Sequence, residues 1–307
     1  MTSNLSFEQF CDEFNDEQIC IDALFSARWP QGFRCPKCAH PHCYEIHSRR
    51  LPLYECRSCR SQTSLIVGTI MEGSRTPLRL WFQAIFLHAR PRGISASRLA
   101  EVMGTTYKTA WLICHKIRHA MSASDAGELL DGIVRINSGA YGKPHNPTVF
   151  RHPQKQPLLA GVSMDDKELF SHVKIKHVPD DYLIHDRITN GGKRDFIERY
   201  VAPEATIISA VILEYSPDRY RPLIQLCQQA GNWINYMFNG IGPKHLQSYL
   251  DQFCFGLNNR ERSSSPFHRL LQWSVSSLVV TYPDLISRVD HSAIHKSTYS
   301  KLLKEAC

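Results

Sequence analysis

Apolar residues recur at helical spacing at the start of this chain. Phe7, Phe10, Cys11, Phe14, Ile19, Ile21, Leu24 and Phe25 predict an amphipathic helix within residues 6–27. The pattern then changes: between 29 and 70, β-type runs at 51–55 and 62–67 alternate with turn-forming stretches. Helical periodicity returns in three segments, 77–88, 95–103 and 107–121. Gly104 separates the last two, and Thr105 offers a hydroxyl to cap the third. Leu99, Val102, Trp111, Cys114 and Ile117 then form a shared core, the punctuation of a helix-turn-helix. An ordinary helical hairpin with a basic outer face is the alternative.

The second half predicts strands at 132–136, 158–163, 169–176 and 206–213, with helices around 195–200 and 245–257. Three strands, a helix, a further strand and then helices give a mixed sheet flanked by helices, the element order of an RNase H-like fold. The expected whole is a multidomain α+β protein. Its parts are an N-terminal helix at 1–27, a cysteine-bearing ribbon at 28–72, a helix-turn-helix segment at 73–125, an RNase H-like domain at 126–275 and a tail at 276–307.

At 307 residues and 43% hydrophobic content, the chain is long enough for one large core or two to three smaller ones. No run of 18 apolar residues occurs, so no membrane span is expected. Eleven cysteines and no leader-like start predict a reducing, cytoplasmic setting. Charge is segregated. Residues 1–27 hold six acids and no Lys or Arg, whereas 28–120 hold fifteen Lys/Arg against four acids. A basic block of this kind neutralises phosphates and gives affinity for nucleic acid without reading its sequence.

Cys35, Cys38, Cys56 and Cys59 give the spacing C-x2-C-x17-C-x2-C, in which two knuckles each offer two thiolates to one tetrahedral zinc. With four sulfurs available, His40, His42, Cys43 and His47 are read as loop residues. His172, His177, His185 and His245 are scattered and form no ligand pair. If the last of the three helices enters a DNA groove, Arg98, Thr106, Tyr107, Lys108, Lys116 and Arg118 are the expected DNA-binding side chains.

The stretches RWPQGFRCPKC, YECRSCRSQTSLIVGTI, TPLRLWFQAIFLHA and ISASRLAEVMGTTYKTAWLICHKIRHAM, with GPKHLQSYLDQFCFGLNNR further on, resemble IS1595-type (ISXO2-like) insertion-sequence transposases over most of residues 5–275. The resemblance implies an RNase H-like nuclease. In such enzymes three carboxylates hold two Mg2+ or Mn2+ ions for strand cleavage and transfer. The matching positions here read Asn137, Ala210 and Gln252. Anchoring on Tyr141 instead places the first at Ser138, again without an acid. The two-metal site is therefore expected to be lost, with these three side chains facing one another at one edge of the sheet.

Asp131, Glu214, Asp218 and Asp251 lie near enough in sequence to rebuild the site in a different register. The leading expectation is a DNA-binding, catalytically silent member of the family, with DNA (terminal inverted repeats) and further copies or a related transposase as partners. An active transposase with relocated carboxylates and a protein-binding scaffold are the alternatives.

Overall fold

Helix starts in the front half are set by short polar side chains. Ser6 caps α1 (Phe7–Glu13) in a reciprocal pair with Gln9, and Asp16 caps α2 (Glu17–Arg28) through the Gln18 N–H. One amphipathic helix was expected within 6–27. The second cap divides it into two. The computed structural model describes residues 5–142, 155–165, 170–259 and 265–287, so the tail beyond 287 lies outside the described residues.

A three-stranded antiparallel ribbon follows, of β1 (Cys43–Ile46), β2 (Leu53–Cys56) and β3 (Gln62–Ser64). Then come α3 (Leu78–Ala89), α4 (Ala96–Met103) and α5 (Tyr107–Gly127), with Gly104 in the left-handed conformation between the last two. The cap of α5 is Thr106, which accepts from the Thr109 N–H, and not Thr105 as its position suggested.

The next four strands are β4 (Ile133–Tyr141), β5 (Gln156–Met164), β6 (Phe170–His177) and, after the two-residue strands β7 (Leu183–Ile184) and β8 (Arg187–Ile188) and helix α6 (Asn190–Tyr200), β9 (Ile207–Val211). Their order in the sheet is β6-β5-β4-β9. β4, β5 and β6 are antiparallel neighbours, and β9 runs parallel to β4. One face packs on α7 (Arg221–Phe238) and α8 (Pro243–Asn258), around Leu158, Ala160, Ile175, Leu223, Leu246 and Leu250. The opposite face packs on α6 through Phe196, with Val134, Ile136 and Leu159.

α8 also closes the sheet margin at β6. The Gln247 amide accepts from His177 N–H at 2.7 Å and donates to Ile175 O at 3.1 Å. Asn258 does the same for both backbone groups of Val173 at 2.9 Å. Residues 247 and 258 are three helical turns apart and share a face, so two side-chain amides stand in for a neighbouring strand.

The chain then returns to its beginning. α9 (Pro266–Ser276) sets Phe267 among Phe10, Phe14, Phe82 and Phe86, with ring centroids 4.9 Å from Phe10. The core of the front half thus runs from Phe10 to Leu271. The boundary expected at 275 falls inside α9, which packs with α2, α3 and α5. A short α10 (Tyr282–Ile286) with a Thr281–Asp284 capping box lies within the segment assigned as the tail.

Candidate metal centre and nucleic-acid interface

The register of β1 on β2 sets Cys43 opposite Cys56 and brings the knuckle at 56–59 beside the one at 35–38. Each knuckle makes the same turn: Ala39 N–H donates to Cys35 O, Arg60 N–H donates to Cys56 O, and both residues sit at φ 57°. The Sγ atoms of Cys35, Cys38, Cys56 and Cys59 all lie within 4.8 Å of one another. Two of the separations, Cys35–Cys59 and Cys38–Cys56, are 3.6 Å. A tetrahedron with Zn–S bonds of about 2.3 Å has S···S edges of about 3.8 Å, so the four sulfurs fit a structural zinc with little movement. Burial works against ionisation of Cys35, but the backbone N–H groups of Lys37 and Cys38, together with the Cys59 and Cys38 thiols, more than offset it and bring the thiol down to about 6.

The α4–α5 pair exposes its polar residues around the start of α5. Thr106, Tyr107 and Lys108 are exposed at the tip of α5, and Arg98 is exposed with its guanidinium 2.6 Å from Glu101. Beyond the first turn the helix enters the interior. Lys116 is 6% exposed and donates to Glu72 O at 3.1 Å, and Arg118 is 1% exposed. Both were expected to meet DNA. Their helix is wrapped by α3, α4, α8 and α9, which cover both side chains.

Arg118 is held instead by Gln252. Its Nε donates to Gln252 Oε1 at 2.7 Å, with the guanidinium 4.0 Å above the Tyr249 ring centroid. Two histidines share this interior. Burial, reinforced by the Arg118 charge, pushes His88 down to about 3 and His115 down to about 2, so both stay neutral.

The three positions that the resemblance assigns to catalytic acids do not converge. Asn137 lies on the α7 side of β4, where its amide bonds Tyr220 N–H and Ile136 O at 3.0 Å in the orientation that satisfies both. Ala210 pairs with Ile136 and packs with the α6 side. Gln252 lies toward α3 and α5, where a Cβ added at Gly93 would meet both it and Trp233. Trp233 is thirteen residues along α7 from Tyr220, roughly 20 Å at 1.5 Å per residue. Ser138, the other first position, is buried with its carbonyl accepting from Arg219 at 2.7 Å.

The acids considered as substitutes are placed as follows. Asp131, Glu214 and Asp218 are exposed, and Glu214 is 3.6 Å from Lys155. Asp251 is buried in a network the sequence reading missed, accepting from Lys176 at 2.7 Å, while Lys176 also reaches Asp125 at 2.6 Å and Lys174 lies 3.0 Å from Asp125. Burial opposes the charge on Lys176, but Asp125 and Asp251 more than offset it and hold its pKa well above the ordinary lysine value. Burial likewise opposes ionisation of Asp125, and Lys176 and Lys174 bring it down to about 2. The quartet ties α5, β6 and α8 together. Its one signal in sequence is the alternation Val173-Lys174-Ile175-Lys176, which puts two lysines on one sheet face.

Residues 15–62 match the transposase zinc-ribbon domain of the IS1595 type. An uncharacterized protein in transposable element ISH50 of Halobacterium salinarum is 29% identical over 126 residues, which span 40% of this chain and 42% of that relative. The match thus covers less than half the length of the relative. No solved structure matches the chain. Among the described residues no helix is long and apolar enough to cross a membrane.

Proposed function

We propose that this is a transposase-family protein that binds DNA through its basic front half and does not cut it. The observation that carries this reading is the use made of position 252. Where the resemblance calls for a metal-binding carboxylate, a neutral amide holds a buried guanidinium. The other two positions, an amide and a methyl group, belong to opposite faces of the sheet. Two dications need several anionic oxygens converging on them. The sheet order β6-β5-β4-β9 with β9 parallel to β4 supports descent from an RNase H-like nuclease. The α4–α5 pair supports a helix-turn-helix that touches DNA end-on with Thr106, Tyr107 and Lys108.

Binding in this reading is electrostatic, so affinity for a duplex falls steeply with salt and survives EDTA. Anisotropy titrations with and without EDTA, beside single-turnover assays on a terminal inverted repeat with Mg2+ or Mn2+, test it. The expected result is salt-sensitive binding and an intact strand. Metal-dependent cutting overturns the catalytic half, and salt-insensitive or absent binding overturns the rest.

A further inference from the structure

We infer that the zinc end of the ribbon is a grip for single-stranded DNA, with Tyr44 as the surface on which an unpaired base stacks. This deepens the DNA-binding reading above and rests on it. The two knuckles carry cations at matching places. Arg34 and Lys37 flank Cys35, Arg57 lies inside the second knuckle, and Arg60 follows it. All four are exposed, and the clustered sulfurs hold both knuckle tips on one end of the ribbon.

Tyr44 lies beside two of them, 49% exposed, with the Arg57 guanidinium 4.7 Å and the Arg60 guanidinium 5.7 Å from its ring centroid. Arg60 occupies its place at φ 57°, a left-handed conformation that an L side chain adopts at a cost. The carboxylate opposite Tyr44 across the strands is already engaged: Glu55 accepts from Gln62 at 3.0 Å and from Arg60 at 3.1 Å. Arg34, Lys37 and Arg57 have no carboxylate at ion-pair distance among the described residues.

Charge complementarity therefore selects a polyanion. The half-exposed ring narrows the choice. A paired base keeps its faces inside the duplex, whereas an unpaired one offers a π-face to an aromatic side chain, and its flanking phosphates then fall to the surrounding cations. The duplex contacts remain with the tip of α5.

The test compares full-length, zinc-loaded protein on a labelled oligothymidine of about 15 nucleotides and on a duplex of similar length. Tyr44→Ala is expected to weaken single-strand binding roughly tenfold or more and to leave the duplex within about twofold. Tyr44→Phe keeps the ring and is expected to restore binding. Arg57→Gln with Lys37→Gln lowers the single-strand salt slope by about 0.7 per charge removed. Zinc content and thermal midpoint confirm that each variant folds. Unchanged single-strand affinity in Tyr44→Ala, or an equal loss on the duplex, overturns the stacking site while duplex binding by the unsubstituted protein upholds the broader reading. Failure of the unsubstituted protein on both probes overturns both.

Discussion

At the scale of single residues, the most instructive contact is Arg118 with Gln252. A guanidinium 1% exposed has a neutral acceptor and two aromatic faces for partners. Gln252→Leu removes the acceptor and is expected to cost about 2–3 kcal/mol in chemical denaturation. Gln252→Glu supplies an anion to a cation already out of water and is expected to raise the thermal midpoint. It restores no cleavage, because the new carboxylate is taken by Arg118. The nearby histidines add a pH dependence. Their folded pKa values, about 3 for His88 and about 2 for His115, lie below the ordinary 6.5, so the unfolded chain binds more protons as acid is added. Stability is full above about pH 6.5 and declines steadily below it, by up to about 1.4 kcal/mol per pH unit for each group. Thermal midpoints measured from pH 7.5 down to pH 4.5 check this, and His115→Phe flattens the slope.

At the scale of elements, α8 serves as a lid on an edge strand. Replacing both Gln247 and Asn258 by Ala leaves the backbone groups of residues 173, 175 and 177 unpaired. A loss of about 2–4 kcal/mol is expected, together with self-association visible in light scattering. Much at this scale was legible in sequence. The four cysteines carry their chemistry in their spacing, the β-like run at 158–163 falls within β5, and residues 170–176 of the run expected at 169–176 fall within β6. The failures share a physical cause. Lys116 and Arg118 were expected to meet DNA from a groove-entering helix, yet each is bonded through its polar head while the helix carrying it is buried. The split of the first helix depended on Asp16, whose side chain competes with the helix for a backbone N–H and wins. The two faces of β4 and β9 depended on register, which a single sequence does not encode where both faces of a strand are apolar.

For the molecule as a whole, α9 decides how the parts hold together. Phe267 fills a slot whose walls come from α1, α2, α3 and the intervening turn, so Phe267→Ala opens a cavity inside the front core. A loss of about 3–5 kcal/mol is expected, read as a lower thermal midpoint and lower occupancy of DNA. Nothing in local pattern revealed this pairing. A phenylalanine about 180 to 260 residues from its partners has the same helical spacing wherever it packs. The same return of the chain has a consequence during synthesis. Phe10, Phe82 and Phe86 leave the ribosome long before the ring that covers them, and they wait in partly open form until residue 276 has emerged. A nascent chain stopped midway has its zinc-binding sulfurs but not a closed core around them, so a stably closed front half belongs to finished molecules and not to fragments.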